Sequence, residues 1–454
     1  GNTQQLFDPP IAPPVFPQTL ATERFNDLFA ANRFTSACSA IVFRGSAFGG
    51  SEQEIAFICE PVHNLVHRAI LEPSGATFRA TRNRDEKASE FLASTDPWFR
   101  PTRAITGPDG ALWIVDMYRE TIEHPEWIPQ AWQQQLDLRA GEDRGRIYRI
   151  SDADATGDER WKTMQQRSTA ELVELLRSDN GMLRDMTQRL IVHRGDPSAV
   201  PLLKRLAGDA VEPLARVHAL SILAVLNELD SRHLLSALTD EHPGVLQVAI
   251  RLSESMIDDH PELIDRLEAL ATHPHPLVVL QTALALGQTG EPKAGEVLAA
   301  IAVNPQIDPW VARAVSTSAL PHARTIATQM IDQIQSITNA QNDSWTGLLA
   351  DVLKTARTNN DDLSGQIADV LTRQVGDLDS KLKLASFFSD ALKTDTKSGS
   401  NITRALEPLY QEAVTRIRDD VANEQQRCRA MSLIGLGIAS RESERELLVS
   451  LISP

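Results

Sequence analysis

Pro243-Gly-Val245, Pro276-Leu-Val278 and Pro309-Trp-Val311 decide how most of this chain folds, because they recur at intervals of 33 residues. Each tripeptide opens a segment with apolar residues at helical spacing, and proline suits the first helical turn, where its missing N–H group costs no hydrogen bond. Second helices lie between them, for example around Leu263-Ile-Asp-Arg-Leu267. A helix pair of this length cannot bury its apolar face alone, so successive pairs must stack. The spacing therefore predicts an α-solenoid.

Weaker copies of the same pattern extend the array in both directions. Ser168-Thr-Ala-Glu171 is a capping box that begins an early helix, and Glu212-Pro-Leu214 opens a later one. Asp343-Ser-Trp-Thr-Gly-Leu348 is a further blurred copy, and residues 446–454 keep an amphipathic helical spacing. We therefore expect the helical array to reach the last residue and the native protein to continue beyond it.

Residues 1–150 have a different composition, since 17 of the 23 Phe, Trp and Tyr residues lie there. Aromatic and β-branched side chains suit pleated sheets. Short apolar runs such as Glu54-Ile-Ala-Phe-Ile-Cys59 are separated by Gly and Pro, which is typical of antiparallel hairpins. The clearest unit is Gly107-Pro-Asp-Gly110, a tight turn, followed by an apolar strand that ends at Asp116. This pattern is typical of β-propeller blades.

The sequence therefore predicts a mixed fold, with partial β-propeller blades followed by a HEAT-like α-solenoid. The predicted domains are a Pro-rich extended segment in residues 1–22, the C-terminal blades of a propeller in 23–150, a polar linker in 151–160, and helical repeats with a period of about 33 in 161–454. An incomplete propeller exposes strand edges. We therefore expect the N-terminal part to pack against the first helical repeats.

Charge and cysteine usage exclude several classes of function. The 454 residues carry a formal net charge of −16, whereas nucleic-acid binding normally needs a basic face. No uninterrupted apolar run is long enough for a transmembrane helix. The three cysteines lack metal-finger spacing, and none begins a C-x-x-C-H motif. The sequence thus predicts no metal, no covalently attached haem and no other cofactor in this chain.

A first group of candidate ligand-binding residues lies in Glu60-Pro-Val-His-Asn-Leu-Val-His-Arg68. In a propeller, strand ends and their loops ring the central channel. Glu60, His63 and Asn64 would therefore offer polar groups to a ligand or a cation at such a strand end. The alternative is a hydrogen-bonded structural corner, because two histidines four residues apart in a strand and loop do not share a helix face.

A second group follows the strand that ends at Asp116. Asp116 is expected to face the channel axis, with hydrogen-bond donors from Tyr118 and Arg119. Glu123 and His124 supply groups for acid-base chemistry. Arg100, in Asp96-Pro-Trp-Phe-Arg-Pro101, is expected to face the same channel. The alternative for this group is an internal salt bridge.

Cys38 and Cys59 end or precede strands of adjacent predicted hairpins. In an oxidising compartment the two side chains are candidates for a disulfide. The alternative is a pair of buried thiols.

Six motifs together resemble the family of large bacterial membrane-bound dehydrogenases. Its members join a glucose/sorbosone-dehydrogenase-like β-propeller to HEAT-like repeats and a C-terminal cytochrome c domain. The motifs are Arg33-Phe-Thr-Ser-Ala-Cys38, Cys59-Glu-Pro-Val-His-Asn-Leu-Val-His-Arg68, Asp96-Pro-Trp-Phe-Arg-Pro101, Gly107-Pro-Asp-Gly-Ala-Leu-Trp-Ile-Val-Asp-Met-Tyr-Arg119, Ile122-Glu-His-Pro125 and Asp143-Arg-Gly-Arg-Ile-Tyr-Arg-Ile150.

The resemblance implies an exported, periplasmic or envelope-associated fragment of a protein that oxidises a sugar or alcohol and passes electrons to haem. The first blades and the haem domain of that family are missing from these residues, so the chain alone is expected to be inactive. In the parent protein the implied cofactors are pyrroloquinoline quinone, calcium and haem c. The solenoid would serve as a scaffold that docks a protein partner or the protein's own haem domain. The alternative is a non-catalytic envelope protein that recognises a glycan or a protein.

Overall fold

The computed structural model describes most of the chain and divides it into two compact units, Gly1–Leu229 and Asp230–Pro454. Residues 1–12 and 20–22 of the predicted Pro-rich segment lie outside the described residues. The described residues are 13–19, 32–48, 54–333, 343–359, 361, 363–373, 378, 381–382, 385, 388, 399–419 and 421–452.

An antiparallel sheet comes first in the N-terminal unit, with four strands in sequence order and a short fifth strand that pairs with the third. Its strands are β1 (Cys38–Val42), β2 (Glu54–Glu60), β3 (Leu65–Ser74), β4 (Thr77–Arg82) and β5 (Leu92–Ala93). Residues 13–19 run alongside, where Val15 donates its N–H to Asn32 O at 2.9 Å and Arg82 Nη2 donates to Pro14 O at 2.8 Å. This part of the predicted Pro-rich segment therefore packs on the sheet region.

A second antiparallel sheet contains β6 (Pro101–Thr106), β7 (Leu112–Asp116) and β8 (Arg146–Ile150). The predicted turn precedes β7, since Gly107 N donates to Ala111 O at 2.7 Å and Gly110 has a φ of +79°. A long excursion between β7 and β8 carries the single-turn helix α1 (Gln130–Gln133). The two sheets share a core that contains Phe57, Cys59, Val66, Phe99, Ala104, Leu112 and Ile114.

The helices of the N-terminal unit are α2 (Thr169–Leu175), α3 (Gly181–Arg194), α4 (Ala199–Asp209) and α5 (Pro213–Val225). The predicted capping box is present at Ser168 and Glu171. Turns at strand ends contact the start of α3, because Gly181 N donates to Arg44 O at 2.7 Å and Arg44 pairs with Asp185 at 2.8 and 3.1 Å. Sheets and first helices therefore belong to one compact unit, and the contacts come from turns rather than from an exposed edge strand.

Helices follow throughout the described part of the C-terminal unit, and the expected prolines begin α7, α9 and α11. The helices are α6 (Ser231–Ala237), α7 (Pro243–Ser253), α8 (Glu262–Leu270), α9 (Pro276–Leu286), α10 (Pro292–Ala302), α11 (Pro309–Ser318), α12 (Ala323–Asp332), α13 (Asp343–Thr358), α14 (Ser364–Arg373), α15 (Gly399–Arg418), α16 (Glu424–Met431) and α17 (Arg441–Ile452).

Two layers of helices form from α6 to α12. Helices α7, α9 and α11 pack against one another in one layer, while α8, α10 and α12 follow one another in the second. Leu246, Ile264, Leu286 and Leu298 are buried in this stack. The helical repeats that the spacing of 33 predicted are therefore confirmed, and so is a sheet-rich region before them. Within the described residues the two sheets do not close into a propeller.

The described helices were compared with the length and hydropathy of membrane-spanning helices. Among the described residues, no helix combines the length and the apolar character that crossing a bilayer requires.

Burial of His218 in α5 makes the stability of the N-terminal unit depend on pH. Its Nδ1–H group donates to Gln188 Oε1 at 2.6 Å, and only 8% of the residue is exposed. Burial, with help from the positive charge of Arg184, lowers the pKa of His218 from 6.5 to about 4, although Asp185 opposes the shift. The unfolded chain therefore binds more protons than the folded protein between these two pH values.

We expect the stabilising contribution of a neutral His218 to be complete above pH 6.5 and to be lost as the pH falls towards 4. The free energy of unfolding should fall by about 2 kcal/mol more in the wild type than in His218→Gln over that interval. Urea denaturation at several pH values measures the difference. His193→Gln, which changes an exposed histidine of α3, is the control and should retain the wild-type pH dependence. An equal pH dependence in His218→Gln would contradict the prediction.

Candidate functional site

Three segments at strand ends bring seven of the eight candidate residues together. These segments are the turn between β2 and β3, the chain leading into β6 and the chain leaving β7. The residues are Glu60, His63, Asn64, Arg100, Asp116, Tyr118 and Arg119. Arg119 takes part through its backbone carbonyl, because its guanidinium donates to Arg139 O at 2.9 Å. His124 is separate, because it lies on the excursion after β7 with 69% of its side chain exposed.

Glu60 and His63 hold the segment that precedes β1. Both oxygens of the fully buried Glu60 carboxylate accept hydrogen bonds from Ser36, including one from Ser36 N to Oε2 at 3.0 Å. His63 Nδ1 lies 3.3 Å from Glu60 Oε1, and His63 Nε2 accepts from Asn32 N at 3.2 Å. The second contact requires the proton on Nδ1, which then donates to Glu60. The pair thus forms a hydrogen-bonded corner.

Asn64 closes the tight turn between β2 and β3 in the left-handed region, with a φ of +58°. Asparagine tolerates this conformation better than most residues. Its Nδ2 group donates to Pro97 O at 3.0 Å and to Phe99 O at 2.5 Å. The amide therefore joins this turn to the segment that leads into β6.

Arg100 extends the same connection to a third segment. Its guanidinium donates to Pro61 O at 2.9 Å, to Arg119 O at 2.9 Å and to Glu120 O at 2.8 Å, and only 4% of the residue is exposed. A planar guanidinium has five donors in a fixed geometry, which allows one side chain to bind several carbonyls at once. Arg100 therefore cross-links the loops of the two sheets.

Asp116 and Tyr118 lie on the other side of this cross-link. Asp116 Oδ1 accepts from Arg100 N and from Tyr118 N, both at 2.8 Å. Asp116 Oδ2 is buried without a hydrogen-bond partner among the described residues, and Arg146 Nε lies 3.9 Å from it. The Arg146 guanidinium also stacks on the Tyr118 ring at 3.7 Å. These contacts match the internal ion-pair alternative for Asp116.

Tyr118 has strained geometry and a perturbed hydroxyl. Its φ of +52° is uncommon for a bulky residue. The hydroxyl donates to Asp96 Oδ2 at 2.9 Å, and this hydrogen bond raises the pKa of Tyr118. The phenol is therefore held in its neutral form as a donor.

Sequence analysis missed a second buried network, which centres on Glu90. His67 Nδ1 lies 2.8 Å from Glu90 Oε2, while Arg82 Nη1 lies 3.0 Å from Oε1, which also accepts from Phe16 N at 3.0 Å. Glu90 is distant from its partners along the chain, and no local motif marks it. The pairing of β3 with β4 and with β5 brings His67 and Arg82 close to Glu90.

The geometry of the site does not fit calcium. Calcium takes six to eight oxygen ligands, whereas the Glu60 carboxylate and the carbonyls around Arg100 are already used by protein donors. Among the residues the structure describes, no cluster of three or more His, Cys, Asp or Glu side chains could hold a metal ion. The arrangement stabilises loops, and ligand binding by the candidate residues stays a prediction.

Cys38 and Cys59 are free thiols in the structure and lie opposite each other on β1 and β2. Their disulfide therefore stays a prediction.

Two family models match separate parts of the chain. Residues 1–154 match a Domain of unknown function (DUF7133), which spans both sheets, and residues 231–321 match HEAT repeats. No curated protein matches the chain. The second match covers α6 to α11 and confirms the HEAT-like α-solenoid. HEAT repeats suggest a scaffold that interacts with proteins.

Proposed function

We propose that this chain is a non-catalytic scaffold module whose HEAT repeats dock a protein partner. The observation that carries the proposal is the two-layered array from α6 to α12, in which the six helices from α6 to α11 match HEAT repeats over residues 231–321. Stacked helix pairs offer an extended surface made of many similar ridges. Such a surface suits a protein better than a small substrate.

Exposed acidic side chains on α8 and α10 favour a partner with a basic surface. Glu262, Asp265 and Glu268 are exposed along α8, and Glu296 is exposed on the neighbouring α10. Lys293 bridges Asp265 and Glu268 and offsets part of their charge. A basic protein surface is the complementary partner, because charged interfaces steer association between opposite potentials.

The proposal extends to the parent protein through the resemblance described above. In that view the two sheets are blades of a β-propeller in an exported dehydrogenase-like protein, with pyrroloquinoline quinone, calcium and haem c bound outside this chain. Strand β8 is an exposed edge of its sheet, and 63% of Ile147 is accessible. Native sheets normally cover such edges, which supports the proposal that this sheet is part of a larger blade. The internally bonded candidate residues favour a chain that is inactive alone.

A binding experiment tests the docking surface. The wild-type chain and a Glu262→Lys, Asp265→Lys, Glu268→Lys variant are immobilised and exposed to an extract of the source cells, and captured proteins are identified by mass spectrometry. We expect a basic protein that the variant loses. A control variant changes Glu407, Glu412 and Glu446 to lysine, which gives the same change in net charge on exposed positions of α15 and α17. Equal capture by all three chains would overturn the proposal.

Dye-coupled oxidation of sugars and alcohols separates the scaffold from an enzyme. This chain, supplied with pyrroloquinoline quinone and calcium, should show no activity above the cofactors alone. Activity that depends on the chain would overturn the non-catalytic assignment. The alternative, recognition of a glycan by an envelope protein, predicts binding to an immobilised glycan that the α8 variant leaves unchanged.

A further inference from the structure

Cys38 and Cys59 are register partners in the antiparallel pair of β1 and β2, and a β-bulge or irregularity between Cys38 and Ile41 separates this pair from the rest of the ladder. Opposite residues in such a pair have Cα atoms about 4.5–5.5 Å apart. Disulfides span Cα separations of about 4.4–6.8 Å. The backbone therefore already holds the two side chains at a distance that a disulfide can bridge.

The two thiols lie in the same sheet region, whereas the third cysteine lies in the other compact unit. Cys59 is fully buried in the core shared by the sheets, beside Phe57 and Val66. Cys38 is half-buried, and its Sγ lies 3.6 Å from Thr102 O on β6. Burial, with the neighbouring Cys38 as a second cause, raises the pKa of Cys59 to about 12. The third cysteine, Cys428, is exposed and belongs to the other compact unit.

We propose that Cys38 and Cys59 form a structural disulfide that joins β1 to β2 when the protein folds in an oxidising environment. The inference is independent of the proposed scaffold function, since it concerns only the sheet region. The oxidant of the two thiols would be a small-molecule or protein disulfide of that compartment. The bond would close a loop of about 20 residues and thereby reduce the entropy of the unfolded chain.

The oxidation proceeds by two thiol–disulfide exchanges. The Cys38 thiolate attacks one sulfur of the oxidant, forms a mixed disulfide and releases one thiol. The Cys59 thiolate then attacks the Cys38 sulfur, and the second thiol of the oxidant leaves. Two protons and two electrons leave the protein, and the oxidant disulfide is reduced to two thiols.

Burial determines when this chemistry occurs. The thiolate is the reactive form, and burial raises the pKa of both thiols in the folded sheet. Oxidation should therefore accompany folding, before the core closes over Cys59. The folded, fully reduced protein should react with the same oxidant at least tenfold more slowly than the chain during refolding.

Thiol counting tests the proposal. The full chain is refolded with a mixture of reduced and oxidised glutathione, acid-quenched, unfolded, and titrated with a thiol reagent. We expect one titratable thiol per chain, a mass lower by two hydrogens, and a peptide map that links Cys38 to Cys59. Cys428→Ser should show no titratable thiol, and Cys38→Ser should show two.

Thermal unfolding gives a second readout. Reduction should lower the Tm of the wild type and of Cys428→Ser by several degrees but leave the Tm of Cys38→Ser unchanged. Three titratable thiols in a correctly folded chain would overturn the proposal, as would glutathione adducts without the intramolecular bond or a link through Cys428.

Discussion

Replacing Arg100 with methionine should lower the free energy of unfolding of the N-terminal unit by about 3–5 kcal/mol. The guanidinium is buried and donates to carbonyls of two other chain segments, at Pro61 in the turn between β2 and β3 and at Arg119 and Glu120 after β7. Methionine fills much of the volume but leaves these buried acceptors without donors. The cost of unmet hydrogen bonds therefore adds to the loss of charge-assisted bonds.

A conservative variant and a matched control sharpen this test. Arg100→Lys keeps the charge but replaces a planar group with a compact ammonium, so we expect about half of the loss seen in Arg100→Met. Arg103→Met changes an exposed arginine of β6, three residues later, and should alter the free energy by less than about 0.5 kcal/mol. Urea-dependent hydrogen exchange of the β6 and β7 amides measures all three. Similar values for Arg100→Met and Arg103→Met would show that the cross-link contributes little.

The contacts of Arg100 show what sequence reasoning could and could not reach. Its motif predicted a side chain that faces a propeller channel, whereas the structure places Arg100 in the chain leading into β6 and buries its guanidinium among loop carbonyls. Its acceptors are backbone carbonyls, which carry no sequence signature. Glu90 illustrates the same limit, since its partner His67 lies on β3, 23 residues earlier in the chain. Long-range partners of buried charges are fixed by strand pairing and loop geometry, which local patterns do not encode.

The helical repeats were easier to predict for a related reason. Proline at the first helical position and apolar residues at helical spacing are local signals, and the period of 33 repeats them. Pro243, Pro276 and Pro309 accordingly begin α7, α9 and α11. Contacts between neighbouring repeats depend instead on single small residues. Gly287 follows α9, and no sequence pattern of the repeat marks it as a contact residue.

A methyl group at Gly287 should disrupt the contact between α9 and α11. An ideal Cβ there would lie 2.4 Å from Ser318 Cβ and 2.7 Å from Ser318 Cα, at the end of α11. Real Cβ atoms essentially never approach other atoms this closely. Ser318 Cα is a backbone atom, so a side-chain rotation cannot relieve the clash. We expect Gly287→Ala to lower the free energy of unfolding of the C-terminal unit by about 3 kcal/mol, because overpacking forces neighbouring helices apart. Urea-dependent hydrogen exchange of the α9 and α11 amides reports on this unit.

Two further variants separate a steric clash from the general cost of changing a glycine. Gly290→Ala adds a methyl group three residues later, where no atom lies within 4 Å, and it should be neutral or stabilise slightly. Ser318→Gly removes the Cβ and Oγ atoms that the new methyl group would meet, so the double variant should recover about half of the loss caused by Gly287→Ala. Strict additivity of Gly287→Ala and Ser318→Gly would show that the two positions do not touch. A destabilised Gly290→Ala would point instead to backbone conformation. The expected pattern assigns the cost to one contact between adjacent repeats, which in a stacked array is the interface that each repeat needs for stability.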